Sequence, residues 1–191
     1  MRLAPIDNPS GLTAKIANWM TARRLGKVVA PMRVVYPRMP SLYGLTWRLL
    51  QIEEKKLHLD PLLRHLVKVW AAGVNGCGFC MDIGRAAAVL DARSLEKLDA
   101  LSEYATSPLF TAAERAALAY VEAVTRDLHV QDAVFEELRR HFDEREIVEI
   151  TWLTALESYY NRLAIPLGLE SDGLCEIATQ RLAARAAVPR P

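Results

Sequence analysis

Asp60-Pro61-Leu62-Leu63-Arg64-His65-Leu66-Val67-Lys68-Val69-Trp70-Ala71-Ala72-Gly73-Val74-Asn75-Gly76-Cys77-Gly78-Phe79-Cys80-Met81-Asp82 is the stretch that decides the fold. Asp60 ahead of Pro61 reads as a helix start, because proline at the first helical position gives up no hydrogen bond and its φ is already helical. Leu62, Leu63, Leu66, Val67 and Trp70 then recur at helical spacing, and Asn75-Gly76 ends the run. A short helix is expected to follow, from about Phe79 to Leu90. Cys77 and Cys80 therefore stand at a helix start. Unpaired N–H groups and the positive end of the helix dipole stabilise a thiolate there. Residues 77, 80 and 84 share one face of that helix. At this spacing one thiol can attack an oxidant and the other resolve the sulfenic acid by closing a disulfide. Two other readings stay open, buried structural cysteines and zinc ligands. Zinc needs two further ligands, and the chain offers only Cys175 and four scattered histidines.

Outward from this block the pattern stays helical. Ser41 opens a helix carrying Leu42, Leu45, Leu49, Leu50 and Ile52. Ser94 opens another, ending before Pro108. Thr111-Ala-Ala-Glu114 is a capping-box pattern continued by Ala117, Leu118, Val121 and Val124. Helices are predicted near Asp132–His141, from Asp143 to about Ile165, and after the Glu170–Gly173 turn. No βαβ alternation, GxGxxG, P-loop or internal repeat appears. The expectation is an all-α domain of about eight helices spanning residues 41–191. Residues 1–40 differ, with seven basic residues against the single acid Asp7. They are read as a basic N-terminal extension with an amphipathic helix from about Thr13 to Leu25, whose Trp19 and Met20 suit a docked face. Pro31, Pro37 and Pro40 mark a connection.

Composition agrees. Ala and Leu each occur 27 times in 191 residues and aromatics make up 7%, which favours helices over a β-sandwich. The 24 basic and 23 acidic residues nearly cancel, so overall charge does not point to nucleic acid. No apolar run approaches the roughly 20 residues needed to span a bilayer. Met1-Arg-Leu-Ala-Pro-Ile-Asp7 reaches a proline and an acid too early for a secretory signal. Three cysteines cannot pair completely, which fits a reducing compartment. These features together read as a cytoplasmic protein.

The block from Asp60 through Cys77-Gly-Phe-Cys80-Met-Asp82 resembles the carboxymuconolactone decarboxylase and alkylhydroperoxidase D-like family. The likeness continues into Tyr160-Asn161-Arg162-Leu163 and Leu167-Gly168-Leu169, and covers roughly residues 40–175. It implies an alkylhydroperoxidase D-like helical bundle that assembles into a homo-oligomer, a trimer or hexamer. In the redox branch it implies a thiol peroxidase or disulfide reductase. Such an enzyme acts on hydroperoxides or disulfides through the CxxC, uses an external dithiol reductant, and needs no metal, haem or flavin. In the other branch, which lacks the cysteine pair, it implies lactone decarboxylase chemistry. The pair places this chain nearer the redox branch, with Cys80 as the attacking thiol by resemblance.

Two positions depart from the family pattern. The histidine four residues after the second cysteine is Gly84 here, and the glutamate twelve residues before the first is His65. His65 is the candidate replacement base, since a neutral imidazole suits proton transfer near neutral pH. Twelve residues rise about 18 Å along one helix, so the thiols must fold back toward it or meet it from another chain. A histidine restored at position 84 is expected to raise turnover. Asp82 matches a family acid and either orients the neighbouring loop or pairs with Arg85; a solvated first-turn carboxylate complementing the helix dipole is the other reading. Cys175 reads as a small buried hydrophobe, and Glu157 as a surface acid, with a buried acid near the thiols as the alternative. A non-catalytic scaffold or redox sensor on the same fold is the rival reading.

Overall fold

Cap chemistry sets the helix boundaries. In the computed structural model, which describes residues 1–93 and 95–186, Asp60 Oδ1 accepts the N–H groups of Leu62 at 2.8 Å and Leu63 at 3.2 Å. Pro61 takes the first helical position, and the helix runs Pro61–Val74. Thr111 and Glu114 close a reciprocal capping box ahead of Ala112–Asp127, and Asp143 with Glu146 does the same for Glu144–Ala164. Each such cap contributes about 1 kcal/mol by satisfying N–H groups that have no intrahelical partner.

Ten α-helices result among the described residues, and no strand. In chain order they are α1 Leu12–Leu25, α2 Ala30–Val34, α3 Ser41–Lys55, α4 Pro61–Val74, α5 Gly78–Leu90, α6 Glu96–Asp99, α7 Ala112–Asp127, α8 Asp132–Arg139, α9 Glu144–Ala164 and α10 Leu174–Ala186. Eight of them, α3–α10, fall after residue 40, where the sequence leads one to expect about eight. The one expected between Ser94 and Pro108 is cut to α6 and a 3-10 turn at Leu101–Glu103, and its proposed start at Ser94 lies outside the described residues. Pro31 does not break a helix. It sits in the first turn of α2, where its missing N–H is harmless.

The hairpin of α4 and α5 is the centre of the molecule. A turn at Asn75-Gly76, with Gly76 at φ 71°, reverses the chain, and Cys77 N–H closes it on Ala72 O at 2.9 Å. The two helices then run antiparallel. Val69 meets Gly84 and His65 meets Asp91. Leu66, Val67, Ala71 and Ala72 of α4 are fully buried. One side of α4 packs with α7 and α9 around Leu63, Val67, Val121, Ile150 and Leu153. Another packs Leu66 and Val69 with Ala88, Leu98, Phe110 and Leu118.

The N-terminal forty residues are tied onto the opposite side of α5. Asp172 accepts Ala30 N–H at 2.7 Å and pairs with Lys27 at 3.0 Å. Arg181 of α10 reaches the carbonyls of Arg23 and Arg24 at the end of α1, and Arg2 N–H bonds to Leu167 O at 2.9 Å. The inner face of α1 carries Ala14, which is buried, and Ala17 beside it, and Leu25 at its end packs on the cluster around the cysteines. Trp19, expected to dock, is 63% exposed with Arg23 over its ring. No described helix is long and apolar enough to cross a membrane.

Candidate functional site

Cys77 is the N-cap of α5 and Cys80 lies one turn in, with Cα atoms 5.3 Å apart and the sulfurs joined in a disulfide. Cys80 N–H donates to the Cys77 sulfur at 3.3 Å. That donor is one of the N–H groups of a helix start that have no intrahelical partner. Both residues are buried, Cys77 at 1% and Cys80 at 4% exposure. Their cluster is apolar: Val29, Ala30 and Val34 of the N-terminal segment, Phe79, Ala164 at the end of α9, and Leu169 and Leu174.

Asp82 is the third sequence candidate, and its role is architectural. Oδ2 accepts Ser171 Oγ–H and the N–H groups of Asp172 and Leu174, and Oδ1 accepts Cys175 N–H, all at 2.9–3.0 Å. Burial alone would raise this carboxyl, but the bonds from Cys175, Leu174, Ser171 and Asp172 outweigh it and hold the pKa below the ordinary carboxylate value. Asp82 thus orients the loop that opens α10 and docks that helix on α5. It does not pair with Arg85, whose partner is Asp99. Cys175 is partly buried, packed against the cluster that holds the pair.

His65 is not brought to the thiols within the chain. Its Nε2 lies 3.0 Å from Asp91 Oδ2, just past the C-terminal end of α5. The thiols stand at the opposite end, eleven residues and about 16 Å of helix away. Burial lowers the His65 pKa more than Asp91 raises it. Position 84 is closed as well. A Cβ on Gly84 would lie 2.8 Å from Val69 Cγ2, so the glycine lets α5 approach α4 and leaves no room for a base.

What the thiol end of the hairpin does face is a polar chain from α9 that sequence reasoning missed. Asn75 Nδ2 donates to Asn161 Oδ1 at 2.8 Å, and Asn161 Nδ2 donates to Glu157 Oε1 at 2.8 Å. Glu157, expected at the surface, is 5% exposed. Lys68 of α4 attracts it and is itself bonded to Glu53 of α3. Glu53 Oε1 and the Tyr160 hydroxyl are buried without a partner. Burial pushes the Glu157 pKa up to about 7 despite Lys68 and Asn161. One signal for it existed. Ile150, Leu153, Glu157 and Ala164 follow a helical stripe, which puts the acid on the buried face of α9. Among the described residues no group of three His, Cys, Asp or Glu converges as a metal site.

A fold and a site of this kind have relatives. Residues 40–123 match the carboxymuconolactone decarboxylase family. Over 165 residues the chain is 33% identical to the uncharacterized protein YnjA of Escherichia coli, covering 85% of this chain and 90% of that protein. The crystal structure of ATU0492 from Agrobacterium tumefaciens, a protein of unknown function called a putative antioxidant defence protein AhpD, superposes with TM-score 0.66 and 30% identity. That match covers 71% of this chain and 94% of the other. An uncharacterized peroxidase-related protein from Silicibacter sp. TM1040 superposes with TM-score 0.78 over 91% of this chain and 93% of its own, at 20% identity, a likeness of fold alone. The chain belongs to the carboxymuconolactone decarboxylase family and has its alkylhydroperoxidase D-like helical fold.

Proposed function

We propose that the chain is a CxxC-dependent thiol oxidoreductase that reduces hydroperoxides or disulfides. The observation that carries this reading is the Cys77–Cys80 disulfide across the first turn of α5, with a helix N–H on the Cys77 sulfur. By the family resemblance Cys80 is the attacking thiol. Its thiolate attacks the terminal oxygen of the hydroperoxide, the O–O bond breaks, and the alkoxide takes a proton and leaves as the alcohol. Cys80 is left as a sulfenic acid. Cys77 then attacks the Cys80 sulfur, the S–S bond forms and water departs. Two thiols are oxidised as the peroxide gains two electrons, and an external dithiol reopens the pair by exchange.

Both sulfurs are buried, so substrate meets them only when the segment carrying Val29, Ala30 and Val34 parts from α5. The same reading includes a homo-oligomer. Leu12, Ile16 and Trp19 on α1 and Leu45, Trp47 and Ile52 on α3 are large apolar side chains exposed in the single chain, and a second copy would cover them.

The test is steady-state consumption of cumene hydroperoxide with a dithiol reductant. Turnover that disappears in both C77S and C80S, with a sulfenic acid trapped at Cys80 in C77S, supports the reading. Thiols that oxidise once and never turn over would leave a redox sensor on the same fold.

A further inference from the structure

The two positions that the family resemblance gives to proton handling do not serve the thiols within this chain: His65 pairs with Asp91, about 16 Å of helix from the pair, and Gly84 packs against Val69. We propose that Glu157 is the positioning residue of the thiol pair. It holds the Cys77 turn through Asn161 and Asn75 and makes the reactivity of the pair follow its own protonation. The inference rests on Cys77 and Cys80 being a working thiol pair.

The geometry is a continuous chain of side chains. Glu157, Asn161 and Ala164 share a face of α9, and Ala164 packs in the cluster that holds both cysteines. Asn161 joins Glu157 to Asn75 by two bonds of 2.8 Å, and Asn75 Nδ2 also reaches Ser158 Oγ at 3.4 Å. Asn75 is the C-cap of α4, two residues before Cys77. The turn is thus pinned by its backbone bonds on one side and by α9 on the other.

The acid itself is unusual among the buried acids of the fold. Asp82 receives three backbone N–H groups and Glu149 receives those of His58 and Leu59, so both are held ionised. Glu157 receives only the Asn161 amide. The charged groups facing it are Lys68 from α4 and, behind that, Glu53 from α3; Arg24 of α1 acts on Lys68. The charges of α5 point elsewhere, Asp82 to the 171–175 loop and Arg85 to Asp99. The Tyr160 hydroxyl, its pKa raised by burial, lies within electrostatic reach of Glu157. One cation therefore serves two carboxyls, and Lys68 bonds directly to Glu53 rather than to Glu157. Glutamine would satisfy Asn161 equally well and avoid a buried charge, so the hydrogen bond alone does not account for an acid here. Its pKa near 7 puts the change of charge within the working range of a thiol.

The test is the pH dependence of thiol alkylation by iodoacetamide in the reduced protein, wild type against E157Q. An ionised Glu157 opposes a second negative charge at Cys77. The wild-type profile should therefore show an inflection near pH 7 beneath the thiolate titration. E157Q should lack it, reacting about threefold to tenfold faster than wild type at pH 8 and equally below pH 6. Superimposable profiles overturn the proposal. Should E157Q not fold, infrared difference spectra of the unaltered protein at pH 7 decide. A buried carboxylic-acid C=O band that changes between the oxidised and reduced forms supports it, and an unchanged band overturns it. Neither readout uses peroxide. An inflection without peroxide turnover leaves this inference standing and removes the peroxidase; turnover with superimposable profiles does the reverse.

Discussion

The two ends of the α4–α5 hairpin carry opposite chemistry on the same pair of helices. At the turn, Cys77 and Cys80 are buried among apolar side chains and backed by Asn75, Asn161 and Glu157. At the open end, His65 and Asp91 pair where Asp91 is half in solvent, its side chain 49% exposed. Burial decides which end can control protonation. An ion pair in contact with water contributes little, whereas a carboxyl surrounded by protein responds strongly to every neighbouring charge. The hairpin thus separates a buried cysteine end from an end where the His65–Asp91 pair opens to water through Asp91.

Asp82 is the largest lever on the cysteine end. Asp82→Ala removes the acceptor of four hydrogen bonds and should cost about 3 kcal/mol by urea denaturation. It should also loosen α10 from α5. The effect has a pH signature. A carboxyl whose folded pKa is depressed stabilises the fold above its unfolded value, about pH 4, and that stabilisation fades as pH falls through the folded pKa. Wild type should therefore lose stability into acid more steeply than the variant. Equal acid limbs would show that the loop is held by something other than the charge.

Gly84→His probes the middle of the hairpin. A base restored at the family position would be expected to speed turnover. With Val69 Cγ2 2.8 Å from the new Cβ, the structure predicts overpacking, destabilisation by about 1–3 kcal/mol and no gain in rate. A stable, faster variant would mean that α4 and α5 separate more easily than their packing implies.

His65→Ala should have the smallest effect. Losing a partly exposed pair should change stability by less than about 1 kcal/mol and leave the pH profile of thiol alkylation untouched. A slowed or shifted profile would bring His65 back into the site, from a neighbouring copy of the chain.

How much of this was legible beforehand follows from range. The starts of α4, α7 and α9 and the turn at Asn75-Gly76 depend on residues within four positions of one another, so local chemistry announces them. The cysteine pair is equally local. Asp82 carries no such signal, because its partners lie 89–93 residues downstream. Glu157 depends on which face of α9 meets α4. Its place on the stripe of Ile150, Leu153 and Ala164 was readable, but an acid on such a stripe looks like a surface residue until the packing is known. Trp19 misled for the complementary reason. A large apolar side chain suggests a docked face, and α1 docks through Ala14, Ala17 and Leu25 instead.

The central claim is that Cys77 and Cys80 pass two electrons to a peroxide as a pair. The most direct measurement is stoichiometric. The fully reduced protein is mixed anaerobically with one equivalent of cumene hydroperoxide, and the products are counted by free-thiol titration and peptide mass spectrometry. The account predicts one alcohol formed per two thiols lost, with a peptide containing both cysteines lighter by two hydrogens and Cys175 still free. Peroxide left unconsumed, oxidation of either cysteine to sulfonic acid without ring closure, or a disulfide to Cys175 would contradict it.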